Sequence, residues 1–528
     1  MSAYTQAVLK FPKLNTQAQQ REAVVQGRSL PPIPASVYDF LKFRIGMDNT
    51  KKIIPIGHQL DAEVFLPGSK SITNRALLLA ACCDGETVLG NALESEDTQI
   101  MIDGLRQLGV SVVSGGHNLQ TDKNQITVSG LGGKFPVDNA EIYIGNSGTT
   151  VRFLTALLAL TGSGEYTQAT LKFQKLNTQT QQDEAVVQGQ SLPSVPASVY
   201  RLHGKERMHQ RPINDLVDTL RLLGGNIRYE NSNGSPPLII GRRGELDKRI
   251  IEDGVIKISV AGNISSQFLS AILMAIPIMS SEGDVEVEVK GELVSRPYVG
   301  MTVGMMRSFG VNLVCGEEMS SFRFRKGEKY SSPKSYRIES DASAASYFFA
   351  AAAVCGGTIR LGWLAQKSMQ GDVGFVGCLA KMGCSVQFDD IKNIITVSRS
   401  LDKPLEAISV DMNYISDTAQ TLGVVALFAN GTTEIKNIEH VRYKETDRIT
   451  ALANELRKFG ATVEEQRDGL KITPPKKFQP AIIETYDDHR MAMSFAIAGL
   501  KTDGVIIKAP DCVQKTFPNF FTKLQELY

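Results

Sequence analysis

Four stretches of the chain share one layout: "LPGSKSITNR" (66–75), "IGNSGTTVRFL" (144–154), "GNISSQFLSAILMAIPI" (262–278) and "TYDDHRMAMSFAIAG" (485–499). Each sets hydroxyls, amides or cations immediately ahead of an apolar run. In the first, Ser69, Ser71 and Thr73 can cap a helix or donate, while Lys70 and Arg75 carry charge. Ser71 and Arg75 lie four apart, on one helical face. A helix N-terminus has free N–H groups and favours an anion. In the second, Gly145 and Gly148 let the backbone approach a ligand, Asn146 and Thr149 donate, and Arg152 adds charge. Alone, that stretch reads equally as an anion loop or as a capped turn. The third contributes Ser265, Ser266 and Gln267, and the fourth Asp488, His489 and Arg490.

Three further stretches add cations: "ERMHQRPI" with Arg207 and Arg211, "VRYKETDRIT" with Lys444, Glu445, Asp447 and Arg448, and "VQKTFPNFF" with Lys515. Phosphates and carboxylates of small ligands would use such an array, because arginine binds them bidentately and lysine as a point charge. Asp341, Asp417, Glu445 and Asp488 are then candidates for proton transfer beside those cations. No GxxxxGK[ST] phosphate loop is present, and no GxGxxG follows a first strand, so neither a Walker nucleotide site nor a Rossmann domain is expected.

The bulk composition narrows the partners. In 528 residues, 57 Lys plus Arg nearly cancel 56 Asp plus Glu, which argues against a nucleic-acid binder. No apolar run reaches membrane-spanning length, and the first thirty or so residues lack the basic-then-apolar order of a secretory signal. The seven cysteines (82, 83, 315, 355, 378, 384, 512) form no CxxC pair and read as reduced thiols of a cytoplasmic protein. Six scattered histidines without HExxH or a Cys/His cluster predict no metal, and no cofactor motif is visible.

The elements that must position these residues repeat one grammar. "DTQIMIDGLRQLGVSVV", "NDLVDTLRLLGGNIRYE", "VGMTVGMMRSFGVNLV", "GDVGFVGCLAKMGCSVQF" and "DRITALANELRKFGATVEE" each predict an amphipathic helix, a glycine stop and a strand. The fold class is α/β, built by reusing one supersecondary unit. A second repeat is of another kind. Residues 4–38 return at 166–200 with 28 of 35 positions identical. Two copies rich in Gln, Ser and Thr are too few for a solenoid. The inner copy is expected to be a peptide tolerated in a surface loop, since closure entropy grows slowly with length.

Taken together, "PGSKSITNRALLLAA", "GNSGTTVRFL", "ERMHQRPI", "SSQFLSAILMA", "ESDASAASYF", "SMQGD", "KETDR", "DDHRMAM" and "KTFPNFF" resemble, in order, the motifs of the 5-enolpyruvylshikimate-3-phosphate synthase family. The resemblance covers residues 54–528 apart from 167–200. It implies a two-domain inside-out α/β barrel fold with three β-α-β-α-β-β units per domain. Residues 1–53 would form an N-terminal extension. Residues 70–339, carrying the insert at 167–200, would form one enolpyruvyl transferase domain, and residues 54–69 with 340–528 the other. It further implies transfer of the enolpyruvyl group of phosphoenolpyruvate to the 5-hydroxyl of shikimate 3-phosphate. That is a step of chorismate and aromatic amino acid biosynthesis, run by a monomer with no cofactor.

By that resemblance, Lys70, Ser71, Arg75, Ser265, Ser266, Gln267, Ser295, Tyr298, Asp417, His440 and Lys444 hold shikimate 3-phosphate. Lys70, Asn146, Gly148, Arg207, Gln267, Arg448, Arg490 and Lys515 bind phosphoenolpyruvate. Asp417 accepts the hydroxyl proton, and Glu445 shares proton transfer with Lys70. Two positions depart from the family pattern: His440 stands where asparagine is common, and Phe153 where proline commonly follows the arginine. Rival readings are the sister transferase acting on UDP-N-acetylglucosamine, which typically uses a reactive loop cysteine, and a non-catalytic scaffold.

Overall fold

A helix buried on nearly every side has to be surrounded by other elements, and the described residues contain six of them. The computed structural model describes residues 49–115, 124–161, 199–279 and 282–528. In chain order its α-helices are α1 (Lys70–Cys82), α2 (Glu96–Gln107), α3 (Gly148–Leu160), α4 (Asn214–Leu222), α5 (Ser266–Ala275) and α6 (Arg296–Ser308). They continue as α7 (Ala342–Cys355), α8 (Phe375–Lys381), α9 (Ala419–Ala426), α10 (Arg448–Lys458), α11 (His489–Gly499) and α12 (Phe520–Gln525). The odd-numbered helices are the interior ones, and every residue of α3, α9 and α11 is buried. The even-numbered helices bury one stripe, such as Met101, Ile102 and Leu105 on α2.

Strands in seven sheets surround these helices, and each sheet contains one parallel pair. Parallel neighbours cannot be joined by a hairpin, so a crossover must intervene. From Asn139 to Gly241 the order is strand, interior α3, strand, outer α4 and an antiparallel strand pair. The same order runs from Val255 to Phe324 and from Ser409 to Thr473. The five helix–glycine–strand units read in the sequence are present. Gly109, Gly224, Gly310, Gly383 and Gly460 all end their helices with left-handed backbone.

Apolar side chains gather into two cores. One runs from Ile72 to Ile338, and the other joins Ile53–Leu66 to Ala342–Leu527. The chain crosses between them twice, and the crossings lie side by side. The Ser69 amide donates to the Glu339 carbonyl at 2.8 Å, and the Asp341 amide to the Pro67 carbonyl at 3.0 Å. Among the described residues no helix is long and apolar enough to cross a membrane.

Both copies of the 35-residue repeat lie outside the described residues except for Val199 and Tyr200. These two open the strand Val199–His203, and the buried Tyr200 hydroxyl donates to the Val137 carbonyl at 2.8 Å. The last two residues of the segment 167–200 thus belong to a sheet. The residue just ahead of that segment, Tyr166, is also a tyrosine.

Deleting 167–200 puts Tyr166 where Tyr200 packs, so denaturant unfolding should change by about 1 kcal/mol or less. A larger loss would show that the removed segment packs on the core. Two glycines separate backbone strain from clash. At Gly383 (φ +98°) an added Cβ would meet only the Pro404 carbonyl oxygen, at an ordinary 3.9 Å, and alanine there should cost about 1 kcal/mol. At Gly357 (φ +97°) a Cβ would sit 2.1 Å from the Leu60 carbonyl oxygen, so Gly357→Ala should cost about 3 kcal/mol or more.

Candidate active site

Residues at the N-terminal ends of α1, α3, α5, α6, α10 and α11 line one pocket with about 80 Å³ of free space. Asp417 enters it from the turn ahead of α9. Helix N-termini carry partial positive charge, and seven cations add to it: Lys70, Arg75, Arg152, Arg211, Lys444, Arg448 and Arg490. Only two carboxylates, Asp417 and Glu445, line the same wall. Neither Ser69 ahead of α1 nor Ser147 ahead of α3 caps its helix with its side chain.

The cations fall into two groups. Arg448 and Arg490 are paired. Arg448 donates to Asp488 at 2.7 Å, to Glu445 at 2.8 Å and to Asp417 at 3.1 Å, and Arg490 donates to Asp417 at 2.7 Å. Arg75, Arg152 and Arg211 are buried with no carboxylate in ion-pair range among the described residues. They use neutral oxygens instead: Arg75 bonds Thr302 at 2.8 Å, Arg152 the Gly148 carbonyl at 3.0 Å, and Arg211 the Asn146 carbonyl at 3.0 Å. Burial pushes the Arg75 guanidinium down to about 10 and lowers Arg152 and Arg211 as well. Three desolvated guanidiniums without acids would gain most from bound anions.

Asp417 is the most heavily contacted acid. Its Oδ1 receives Lys444 and Arg448, and its Oδ2 receives Arg490 and, at 3.0 Å, the Tyr298 hydroxyl. Burial alone would raise this carboxyl, yet Arg490, Lys444 and Arg448 together hold it well below the usual range. Glu445 behaves likewise, with Arg448, Arg211 and Lys515 outweighing its burial. His440 is pushed down to about 3 by burial and by Lys444. Its neutral ring places Nε2 2.8 Å from the Ser416 hydroxyl and 3.1 Å from that of Ser295, which ties the two cores together.

Fifteen of the site residues expected from the sequence line this pocket, and Asn146, Arg207 and Lys515 do not. Those three stand just behind its wall. Arg207 donates to the carbonyls of Lys444 (3.1 Å) and Glu445 (3.2 Å), and Lys515 to Asp97 (2.9 Å) and the Asn146 carbonyl (2.8 Å). Two acids considered for proton transfer act as helix caps. Asp341 accepts the Ala344 amide at the start of α7 and the Lys70 amide at 3.1 Å, and Asp488 accepts the Arg490 amide at 2.9 Å while anchoring Arg448. The departure at Phe153 is a core feature, with the Arg75 guanidinium 5.2 Å over its ring.

Sequence reasoning marked Arg152, Arg211 and His489 within motifs without assigning them to the pocket they line. It missed Asp97, which pairs with both Lys70 (3.3 Å) and Lys515 (2.9 Å). The available signal was the acidic pair Glu96–Asp97 after the cap Ser95. It also missed Asp372, which the motif "SMQGD" contains.

The EPSP synthase family (3-phosphoshikimate 1-carboxyvinyltransferase) matches residues 54–172 and 178–524. A 3-phosphoshikimate 1-carboxyvinyltransferase of Herminiimonas arsenicoxydans is 44% identical over 466 residues, 87% of this chain and 93% of that one. Its counterpart in Shewanella piezotolerans is 41% identical over 480 residues, 91% of this chain and 99% of that one. The solved structure of EPSP synthase from Acinetobacter baumannii superposes with a TM-score of 0.67 at 23% identity, covering 90% of this chain and 98% of that one, so the α/β fold is shared. With matches over nearly all of the described residues and motifs that converge on one cationic pocket, the chain belongs to the EPSP synthase (3-phosphoshikimate 1-carboxyvinyltransferase) family.

Proposed function

We propose that this enzyme transfers the enolpyruvyl group of phosphoenolpyruvate to the 5-hydroxyl of shikimate 3-phosphate, releasing phosphate, in the shikimate pathway of the cytoplasm. The observation that carries the reading is the charge of the pocket: seven cations against two carboxylates, with three buried arginines that have no acid in ion-pair range among the described residues. Each of the two substrates brings a phosphate and a carboxylate, and these four groups match the surplus.

In this reading Lys70, Ser71, Arg75, Ser265, Ser266, Gln267, Ser295, Tyr298, His440 and Lys444 hold shikimate 3-phosphate. Lys70, Asn146, Gly148, Arg207, Gln267, Arg448, Arg490 and Lys515 bind phosphoenolpyruvate, with Arg152 and Arg211 added from the pocket wall. Asp417 takes the proton of the 5-hydroxyl as its oxygen bonds to the substituted carbon of the enol. Glu445 and Lys70 deliver a proton to the methylene carbon, giving a tetrahedral adduct. The carbon–phosphate oxygen bond then breaks, the methyl proton returns, and the enol re-forms.

Three cations make Asp417 a weak base while they hold it alone. Substrate anions that share Lys444, Arg448 and Arg490 reduce that pull and raise its proton affinity. The two halves of the pocket come from the two cores, so closure excludes water from the adduct. We read residues 70–339 and residues 54–69 with 340–528 as the two domains, each an inside-out barrel of three repeated units. The separate cores and the interior helices support that reading. None of the seven cysteines lines the pocket, which gives the UDP-N-acetylglucosamine reading no nucleophile there.

Phosphate release should require both phosphoenolpyruvate and shikimate 3-phosphate, and turnover with UDP-N-acetylglucosamine in place of the latter would overturn the assignment. Asp417→Asn should lower kcat by about a hundredfold or more while shikimate 3-phosphate still binds in calorimetry. Wild-type turnover would remove Asp417 from the base role. Arg207→Ala should raise KM for phosphoenolpyruvate by about tenfold or more, with a smaller change in kcat.

A further inference from the structure

The Tyr298 hydroxyl touches two carboxyl groups, lying 3.1 Å from Asp372 Oδ2 and 3.0 Å from Asp417 Oδ2. A phenol has one hydrogen to give. It can donate to one carboxylate, and the second contact is attractive only where that carboxyl carries a proton and donates to the phenol oxygen. The surroundings of the two acids decide which one does. Lys444, Arg448 and Arg490 hold Asp417 ionised.

Asp372 sits in the short turn Gly371–Gly374 and is 3% exposed. Its Oδ2 accepts the Ser343 hydroxyl as well as facing Tyr298, and its Oδ1 has no hydrogen-bond partner among the described residues. A buried carboxylate with one oxygen bare is costly, whereas the neutral acid is much less so. The charged groups facing it are Arg490 from α11, Asp417 from the turn before α9 and Asp341 at the start of α7, with the Tyr298 hydroxyl from α6. One cation thus meets two acids. Burial, then Asp417, pushes Asp372 up to about 6 against the opposing effects of Arg490 and Ser343.

We propose that Asp372 is a positioning residue: when protonated it donates to the Tyr298 oxygen, aims the phenol hydrogen at Asp417, and so weakens Asp417 as a base. The chain is Asp372 carboxyl to Tyr298 oxygen, and Tyr298 hydroxyl to Asp417 carboxylate. When Asp372 releases its proton to solvent, the single phenol hydrogen is contested by two carboxylates. Asp417 then loses part of a hydrogen bond and gains a second negative charge nearby, and its proton affinity rises. Turnover therefore increases as pH rises through the Asp372 titration. This inference rests on the reading that Asp417 takes the substrate hydroxyl's proton.

The test is the pH profile of kcat for the full chain at saturating substrates. Titration of the free substrates' phosphates enters kcat/KM, so kcat isolates groups of the bound complex. Wild type should lose about tenfold in kcat between about pH 7.5 and about pH 5. Asp372→Asn replaces the acid with a permanent neutral donor. It should flatten that limb at the level of the wild-type acid plateau, with KM for shikimate 3-phosphate within about threefold. A wild-type limb retained in Asp372→Asn overturns the proposal.

Tyr298→Phe keeps Asp372 and removes the bridging hydroxyl, so it should also lose the limb, and it serves if Asp372→Asn does not fold. Carboxyl carbon NMR of aspartate-labelled protein reads the proton directly. One resonance should titrate near pH 6 and vanish in Asp372→Asn, and its absence from the wild type overturns the proposal. That resonance does not depend on catalysis, so failure of the base reading, seen as wild-type turnover in Asp417→Asn, is told apart from failure here.

Discussion

Like charges buried together repel, and the pocket packs seven cations around two carboxylates at the positive ends of six helices. With an effective dielectric constant near 20, two unit charges about 6 Å apart cost about 3 kcal/mol. Left to relax, such side chains would turn outward to water. Four of them, Lys70, Arg75, Arg152 and Arg490, stay because their stems grow from interior helices that cannot rotate without opening a core. The apolar interior of α3, α9 and α11 thus holds an array that is unfavourable by itself. Local discord of this kind, offset elsewhere in the fold, is what a functional site looks like energetically.

The acids around the pocket share the task of limiting that repulsion, and each does it differently. Asp488 lies fully buried behind Arg448 and caps α11, so it fixes both a cation and the helix that carries Arg490. Asp97 spans the two cores by pairing with Lys70 and Lys515. Asp417 and Glu445 reach the surface of the pocket, where they can meet a substrate.

Much of this was legible in the sequence because the needed chemistry is local. Binding an anion at a helix start takes hydroxyls, small residues and a cation within a few positions, which is how Lys70, Ser265 and Arg490 stand out. The glycine stops were equally local, since only the left-handed turn after each helix demands them. What escaped depends on residues far apart in the chain. Asp97 meets Lys515 418 positions away, and Arg207 meets Glu445 across 238. Asp341 and Asp488 looked like proton carriers because a capping acid and a catalytic acid occupy the same place before a helix. Only the partner atoms distinguish them.

The second core takes two of its strands from the first of the described residues. Leu60–Val64 pairs in parallel with Gly357–Gly362, and Thr50–Lys52 pairs with Val505–Lys508. On the ribosome, these segments emerge long before their neighbours. At about 5–20 residues per second, some 300 further residues take roughly 15–60 seconds to appear. The first core, Ile72 to Ile338, can close in that interval. Ahead of it, the strand Leu60–Val64 waits with its backbone unpaired and Leu60 and Val64 uncovered. Vectorial synthesis therefore leaves this chain open to intermolecular strand pairing at its N-terminal side, and a holding chaperone would have most to do there.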